Sequence, residues 1–201
     1  MGYFSLDKRL EEAAEIAEEQ CAEAFERIND TARYNGEKVL KAFIDNRVSE
    51  MHLKGTTGYG YGDDGRDKLD QVFAQVLGAE DALVRHTFVN GTHAISTALF
   101  GVLRPGDLML SLTGKPYDTL QEVIFGEHGG SLSEFGVKYD QIDLDRDGRV
   151  NFGAIPEKAK ACKVAYIQRS RGYSLRPSIT VSEIGEMVDA VKNVNPQAII
   201  I

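Results

Sequence analysis

Residues 88–125 read FVNGTHAISTALFGVLRPGDLMLSLTGKPYDTLQEVIF, and their pattern decides the fold. Asn90-Gly91-Thr92 is a turn, Ile95 to Leu103 has a helical pattern, and Arg104-Pro105-Gly106-Asp107 is a second turn. Leu108 to Leu112 is an apolar strand, and Asp118 to Phe125 is helical again. Helix, strand and helix with short connections imply a sheet covered by helices, an α/β fold. The pattern continues downstream. A strand or extended piece is expected near Val137, a strand over Lys163 to Gln168, and a helix over Thr180 to Asn193. That helix opens with Thr180 and Glu183, the spacing of a capping box. Ala198-Ile199-Ile200-Ile201 is an apolar run that reads as a buried strand, and it leads us to expect a longer protein of which this chain is a part.

Upstream, Ala82 to Arg85 reads as a short strand, preceded by a helix from Arg66 with Leu69, Val72, Phe73, Val76 and Leu77 on its inner face. The segment GTTGYGYGDDG, residues 55–65, is too rich in glycine for a regular element and reads as an irregular loop. Residues 1–54 read as an N-terminal helical segment and 55–201 as the first part of an α/β domain. In the helical segment, Leu10, Ala14, Ala17, Cys21, Ala24, Phe25 and Ile28 form one stripe of an amphipathic helix from Asp7 to Ile28, with Ser5 as N-cap. A second helix is expected over Glu37 to Val48.

The 201 residues are 42% hydrophobic with a net charge of −8, and no basic cluster marks a nucleic-acid surface. No apolar run approaches membrane-spanning length, and the N-terminus lacks a signal-peptide core. The two cysteines, Cys21 and Cys162, read as small buried apolar groups. A cytoplasmic protein without nucleic-acid or membrane partners is expected. His52, His86 and His128 have no metal-ligand partners at recognisable spacing. Residues 143–152, DLDRDGRVNF, have the acidic positions and glycine of a calcium loop, but Ala154 stands where a bidentate glutamate is required. We read this stretch as a surface turn.

The chemistry concentrates at Phe88 to Ile95. A Gly-Thr turn at a helix start offers backbone N–H groups and the helix dipole to a phosphate. Gly91 permits close approach and the Thr92 hydroxyl is a further donor. An ordinary capped helix start explains the same residues. Downstream, Arg169, Arg171 and Arg176 place three cations in QRSRGYSLRP, after a strand end. There an arginine suits a substrate carboxylate. Arg171 fits that role as well as it fits a solvated loop, and Arg176 reads as ordinary surface charge.

Four ordered stretches, GTTGYGYGDDGRDKL, NGTHAISTALFGVLRPGD, TGKPYDTLQEVI and IQRSRGYSLRPSIT, resemble the methionine gamma-lyase/aluminium-resistance family. This family sits among the pyridoxal 5'-phosphate (PLP) enzymes of cysteine and methionine metabolism. The resemblance implies fold type I, a three-layer sheet with helices on both faces. It implies a lyase that eliminates at a C–S bond of a sulfur-containing amino acid. Other PLP activities (aminotransferase, racemase, decarboxylase) and a non-catalytic phosphate-ligand-binding α/β protein remain open.

The resemblance further implies that Gly91, Thr92 and His93 meet the cofactor phosphate and that Tyr117 stacks on its ring. Tyr61, with Tyr59 as a second candidate, would reach the phosphate of a neighbouring subunit in a homodimer or homotetramer. Where the group has an arginine two positions after that tyrosine, this chain has Asp63, with Arg66 as a substitute cation. Arg171, Arg169 and Tyr173 would meet the substrate. The lysine that holds the cofactor as an imine and the aspartate that pairs with its pyridine nitrogen are expected beyond Ile201. Lys115 is assigned neither role.

Overall fold

The computed structural model describes residues 6–55, 63–127 and 129–201, and the chain forms two compact units, residues 1–87 and 88–201. In the first unit, α1 runs unbroken over Lys8–Asp45, so the two expected helices are one. Gly36 costs an exposed helix about 1 kcal/mol, too little to stop it. The helix continues through the expected break, where Arg33 and Asp30 form an i,i+3 pair at 3.0 Å that adds a few tenths of a kcal/mol, about the size of such exposed pairs. Ser5 lies outside the described residues. The N-cap is Asp7, whose carboxylate accepts from Arg9 N at 2.9 Å. Cys21 is exposed, contrary to expectation, because only Ala42 of α1 is buried.

A short helix, α2 (Glu50–Leu53), was not expected. It leads to α3 (Asp64–Leu77), which closes on Gly78 in the left-handed conformation. Asn46 and Asp45 at the end of α1 bond to Gln75 of α3 at 2.7 and 2.8 Å. Residues 82–85 do not form the expected strand. A strand needs a partner ladder, and here the Asp70 carboxylate takes the Val84 N–H at 2.7 Å and binds Arg85 at 2.8 Å.

The second unit is the α/β part. Its order is α4 (Gly91–Val102), β1 (Leu108–Ser111), α5 (Asp118–Phe125), β2 (Lys138–Gln141), α6 (Ile155–Lys158), β3 (Val164–Tyr166), α7 (Val181–Val194) and β4 (Ile199–Ile200). Single 3-10 turns flank α6 at 152–154 and 159–161. The strands are all parallel, in the order β2-β1-β3-β4. Leu108 faces Lys138, Met109 faces Val164, and Val164 faces Ile199.

Alternate residues of each strand enter different cores, as the two-residue period of a strand requires. Met109, Val164 and Tyr166 pack with Leu99 and Leu103 at the end of α4 and with Leu120 and Ile124 of α5. Leu110, Leu112 and Ala165 pack on the other face with Ile155, Met187 and Val191 from α6 and α7. The result is a parallel sheet with helices on both sides. The Thr180–Glu183 capping box forms, with Glu183 N donating to Thr180 Oγ1 at 3.2 Å and Thr180 N to the glutamate at 2.7 Å. Cys162 is buried, donates to Ala159 O at 3.3 Å, and has its pKa raised by desolvation. No helix among the described residues is long and apolar enough to cross a membrane.

Candidate active site

In an open parallel sheet, ligands bind beyond the carboxyl ends of the strands, where the chain departs to opposite sides. Here that point lies between β1, flanked by β2, and β3, flanked by β4. A cavity of about 630 Å³ opens there, lined by Thr113, Lys115, Tyr117, Gln168, Arg171 and Arg176 among others.

One wall follows β1. The turn after it needs Gly114, whose φ is 80°, a conformation that side chains resist. Ser111 Oγ donates to Gly114 O at 2.6 Å and Gly114 N donates to Ile142 O at 2.9 Å. Tyr117 follows as the N-cap of α5, half-buried. Its hydroxyl lies 2.9 Å from Thr92 Oγ1, which is also 3.0 Å from Thr119 Oγ1. The first turn of α4 thus meets the tyrosine that the sequence singles out. The Tyr166 phenol, at the end of β3, is pushed up to about 12, chiefly by burial. It stays neutral at working pH and adds no charge beside Tyr117.

At α4 the Asn90 side chain accepts from His93 N at 2.8 Å. That amide is therefore already engaged. The N–H groups of Gly91 and Thr92 have no partner among the described residues. His93 turns back on the preceding chain: Val89 N donates to its Nδ1 at 3.4 Å, and its ring meets Phe88 edge-on at 5.8 Å.

The other wall follows β3. Gln168 N donates to Thr113 Oγ1 at 3.0 Å, and Gln168 Oε1 accepts from Tyr117 N at 3.0 Å. Arg176 is not the ordinary surface charge expected. Its guanidinium donates to the carbonyls of Gln168, Ser170 and Pro177 at 3.1, 2.9 and 3.1 Å, which staples the loop. Burial, and then the nearby Arg171 charge, lower its pKa from the usual arginine value. Arg169 donates to Ile179 O at 3.1 Å. Arg171 makes one long bond, 3.4 Å to Arg176 O, and its exposed side chain lines the cavity with the fully exposed Tyr173. Among the described residues, Arg171 thus lines the cavity with only that long bond, whereas Arg176 is engaged in the loop and Arg169 is not part of the lining.

Tyr59 and Tyr61 lie outside the described residues. Arg66 is ion-paired with Asp63 at 3.0 Å. The acidic stretch 143–152 forms a turn in which Asp145 Oδ1 accepts from Asp147 N and Arg149 N, both at 2.9 Å. No group of three acidic, histidine or cysteine side chains among the described residues is placed to hold a metal. The sequence reading missed Thr113, Thr119 and Gln168. Two of these are polar residues at the carboxyl ends of apolar strands, a signal that points to ligand sites in this class of sheet.

The sequence matches the methionine gamma-lyase family profile over residues 10–201. The chain belongs to the methionine gamma-lyase family. Among relatives, the uncharacterized protein YnbB of Bacillus subtilis is 44% identical over 195 residues, covering 95% of this chain and 46% of that protein. A solved structure from Clostridium novyi NT, described as a carbon-sulfur lyase involved in aluminum resistance, is 43% identical with a TM-score of 0.89. The match covers 97% of this chain and 47% of that one. A "putative cystathionine beta-lyase involved in aluminum resistance" from Clostridium acetobutylicum is 44% identical with a TM-score of 0.90, over 96% of this chain and 47% of its own. The chain thus spans about half the length of these methionine gamma-lyase family relatives.

Proposed function

We propose that the full-length protein is a PLP-dependent lyase of fold type I that cleaves a C–S bond at the β or γ carbon of a sulfur-containing amino acid. The observation that carries this reading is the Thr92–Tyr117 contact of 2.9 Å beside the cavity, at a helix start where the Gly91 and Thr92 amides have no partner among the described residues. Family membership and the lyase names of its relatives support it.

The residues present fit the cofactor. The N–H groups of Gly91 and Thr92, with the Thr92 hydroxyl, supply donors and the positive end of α4 for a phosphate. Tyr117 supplies a flat aromatic face, held from three sides by Thr92, Gln168 and its own helix α5. PLP, when bound, supplies an electron sink for the charge left when the substrate loses its α-proton.

Arg171 orients the substrate by its carboxylate, with Arg169 and Tyr173 at the rim. The loop staple made by Arg176 keeps that arginine at the cavity wall. The cofactor-holding lysine and the pyridine-pairing aspartate belong, in this reading, to sequence following Ile201. Tyr61 and Tyr59 would complete the phosphate site of a neighbouring subunit in a cytoplasmic homodimer or homotetramer.

The test uses purified full-length protein. It is expected to be yellow, to bleach with hydroxylamine, and to release a thiol, a 2-oxo acid and ammonia from a sulfur amino acid and water. A colourless, PLP-free protein overturns the reading. Amino-group transfer without thiol release reassigns the reaction to an aminotransferase.

A further inference from the structure

Gln168 bonds to four different residues around the cavity. Its N–H donates to Thr113 Oγ1 at 3.0 Å and its carbonyl accepts from Arg176 at 3.1 Å. Its side chain does two further things: Oε1 accepts from Tyr117 N at 3.0 Å, and Nε2 donates to Ser170 O at 2.9 Å. The orientation of the amide is dictated by its partners. Tyr117 N can only donate and Ser170 O can only accept, so a flipped amide breaks both bonds.

The two side-chain bonds are not equivalent. Ser170 O accepts from both Gln168 Nε2 and the Arg176 guanidinium, which also binds Gln168 O, so the start of that loop is tied by Gln168 and Arg176 together. Tyr117 N has no other acceptor among the described residues. It precedes α5, and a helix offers no partner to the N–H groups at its start. Without Gln168, the amide of a half-buried residue that lines the cavity is left unsatisfied.

We propose that Gln168 is a positioning residue that couples the cofactor side of the cavity to its substrate side. One end of its amide fixes the backbone of Tyr117, and the other fixes the start of the loop carrying Arg171. The coupling rests on the reading of this cavity as a PLP site. It predicts that cofactor grip and substrate grip respond separately to changes at the two ends of one side chain.

The experiment compares full-length wild type with Gln168→Glu and Gln168→Met. PLP affinity is followed by absorbance, and KM and kcat by thiol release. Gln168→Glu keeps an acceptor for Tyr117 N and sets a carboxylate against Ser170 O. Its PLP Kd should stay within about 2-fold of wild type while KM rises about 10-fold, the size of one lost polar contact. Gln168→Met keeps the volume and loses both bonds. Its PLP Kd should rise about 5- to 10-fold, with a similar rise in KM.

Equal PLP affinity in wild type and Gln168→Met overturns the proposal while leaving the PLP site intact. A wild type that takes up no PLP overturns the underlying reading, and the coupling with it. Should Gln168→Met fail to fold, Gln168→Glu decides alone. A raised KM with retained PLP supports the coupling, whereas an unchanged KM or lost PLP overturns it.

Discussion

The hydroxyl of Tyr117 lies 2.9 Å from Thr92 Oγ1, so a helix start and a strand exit separated by 25 residues share one hydrogen bond. Tyr117→Phe removes that bond and keeps the ring. Tyr117→Ala removes both. In the full-length protein we expect Tyr117→Phe to weaken PLP binding about 3- to 10-fold, the loss of one hydrogen bond. Tyr117→Ala should weaken it by a further factor of about 5 or more, since ring contacts carry their own energy. Absorbance titration with PLP measures both. Equal losses in the two variants would remove the ring from its assigned role.

Gly148 sits in the acidic turn after β2 with φ 73°, and a Cβ there would stand 2.8 Å from Arg176 Cβ and 3.3 Å from Pro177 Cδ. The turn therefore braces the arginine loop, and only glycine allows the approach. Gly148→Ala should cost about 2–4 kcal/mol, combining left-handed strain with overpacking. Denaturant unfolding of the protein checks this. A variant within 0.5 kcal/mol of wild type, which is about the scatter of neutral surface changes, would show that the two loops do not press on each other.

Acid stability in the first unit should depend on Asp70. The Arg85 guanidinium, with the Val84 amide, holds its carboxyl below the usual value, against the effect of burial. Because the folded value is the lower one, the stabilisation is complete above the unfolded carboxylate value of about 3.9 and fades as pH falls through the folded value. Asp70→Asn should destabilise at neutral pH by about 1–3 kcal/mol and flatten the acid arm of the pH–stability curve. Thermal melts from pH 3 to pH 7 give the two curves. An unchanged acid arm in Asp70→Asn would assign acid sensitivity to other carboxylates.

Much of the α/β unit was legible because its elements carry strong local signals. Asp118 to Phe125 is helical at the expected residues, and β1 follows the Leu108 to Leu112 run less one residue. Thr180 and Glu183 form their box because both partners lie within one turn. Short-range pattern failed where a distant residue decides. Ala82 to Arg85 has strand composition, yet Asp70, in another helix, claims its amide. The turns at 152–161 are too short for helical periodicity, and Pro156 in α6 disguised them. In the candidate site, motif order singled out Gly91, Thr92 and Tyr117, and Thr92 and Tyr117 lie in contact. It did not single out Gln168, because the role of that residue comes from contacts across 51 and 55 residues.

The central strand β1 pairs on both sides with strands that follow it in the chain. Thr113 therefore meets Gln168 only after 55 more residues have been made. At translation rates of about 5–20 residues per second, that is roughly 3–11 seconds. Both edges of β1 are unpaired until β2 is made and one edge until β3 is made, so Met109, Leu110 and Leu112 lack their sheet partners for much of this interval. Slower synthesis of residues 113–168 lengthens that exposure in proportion.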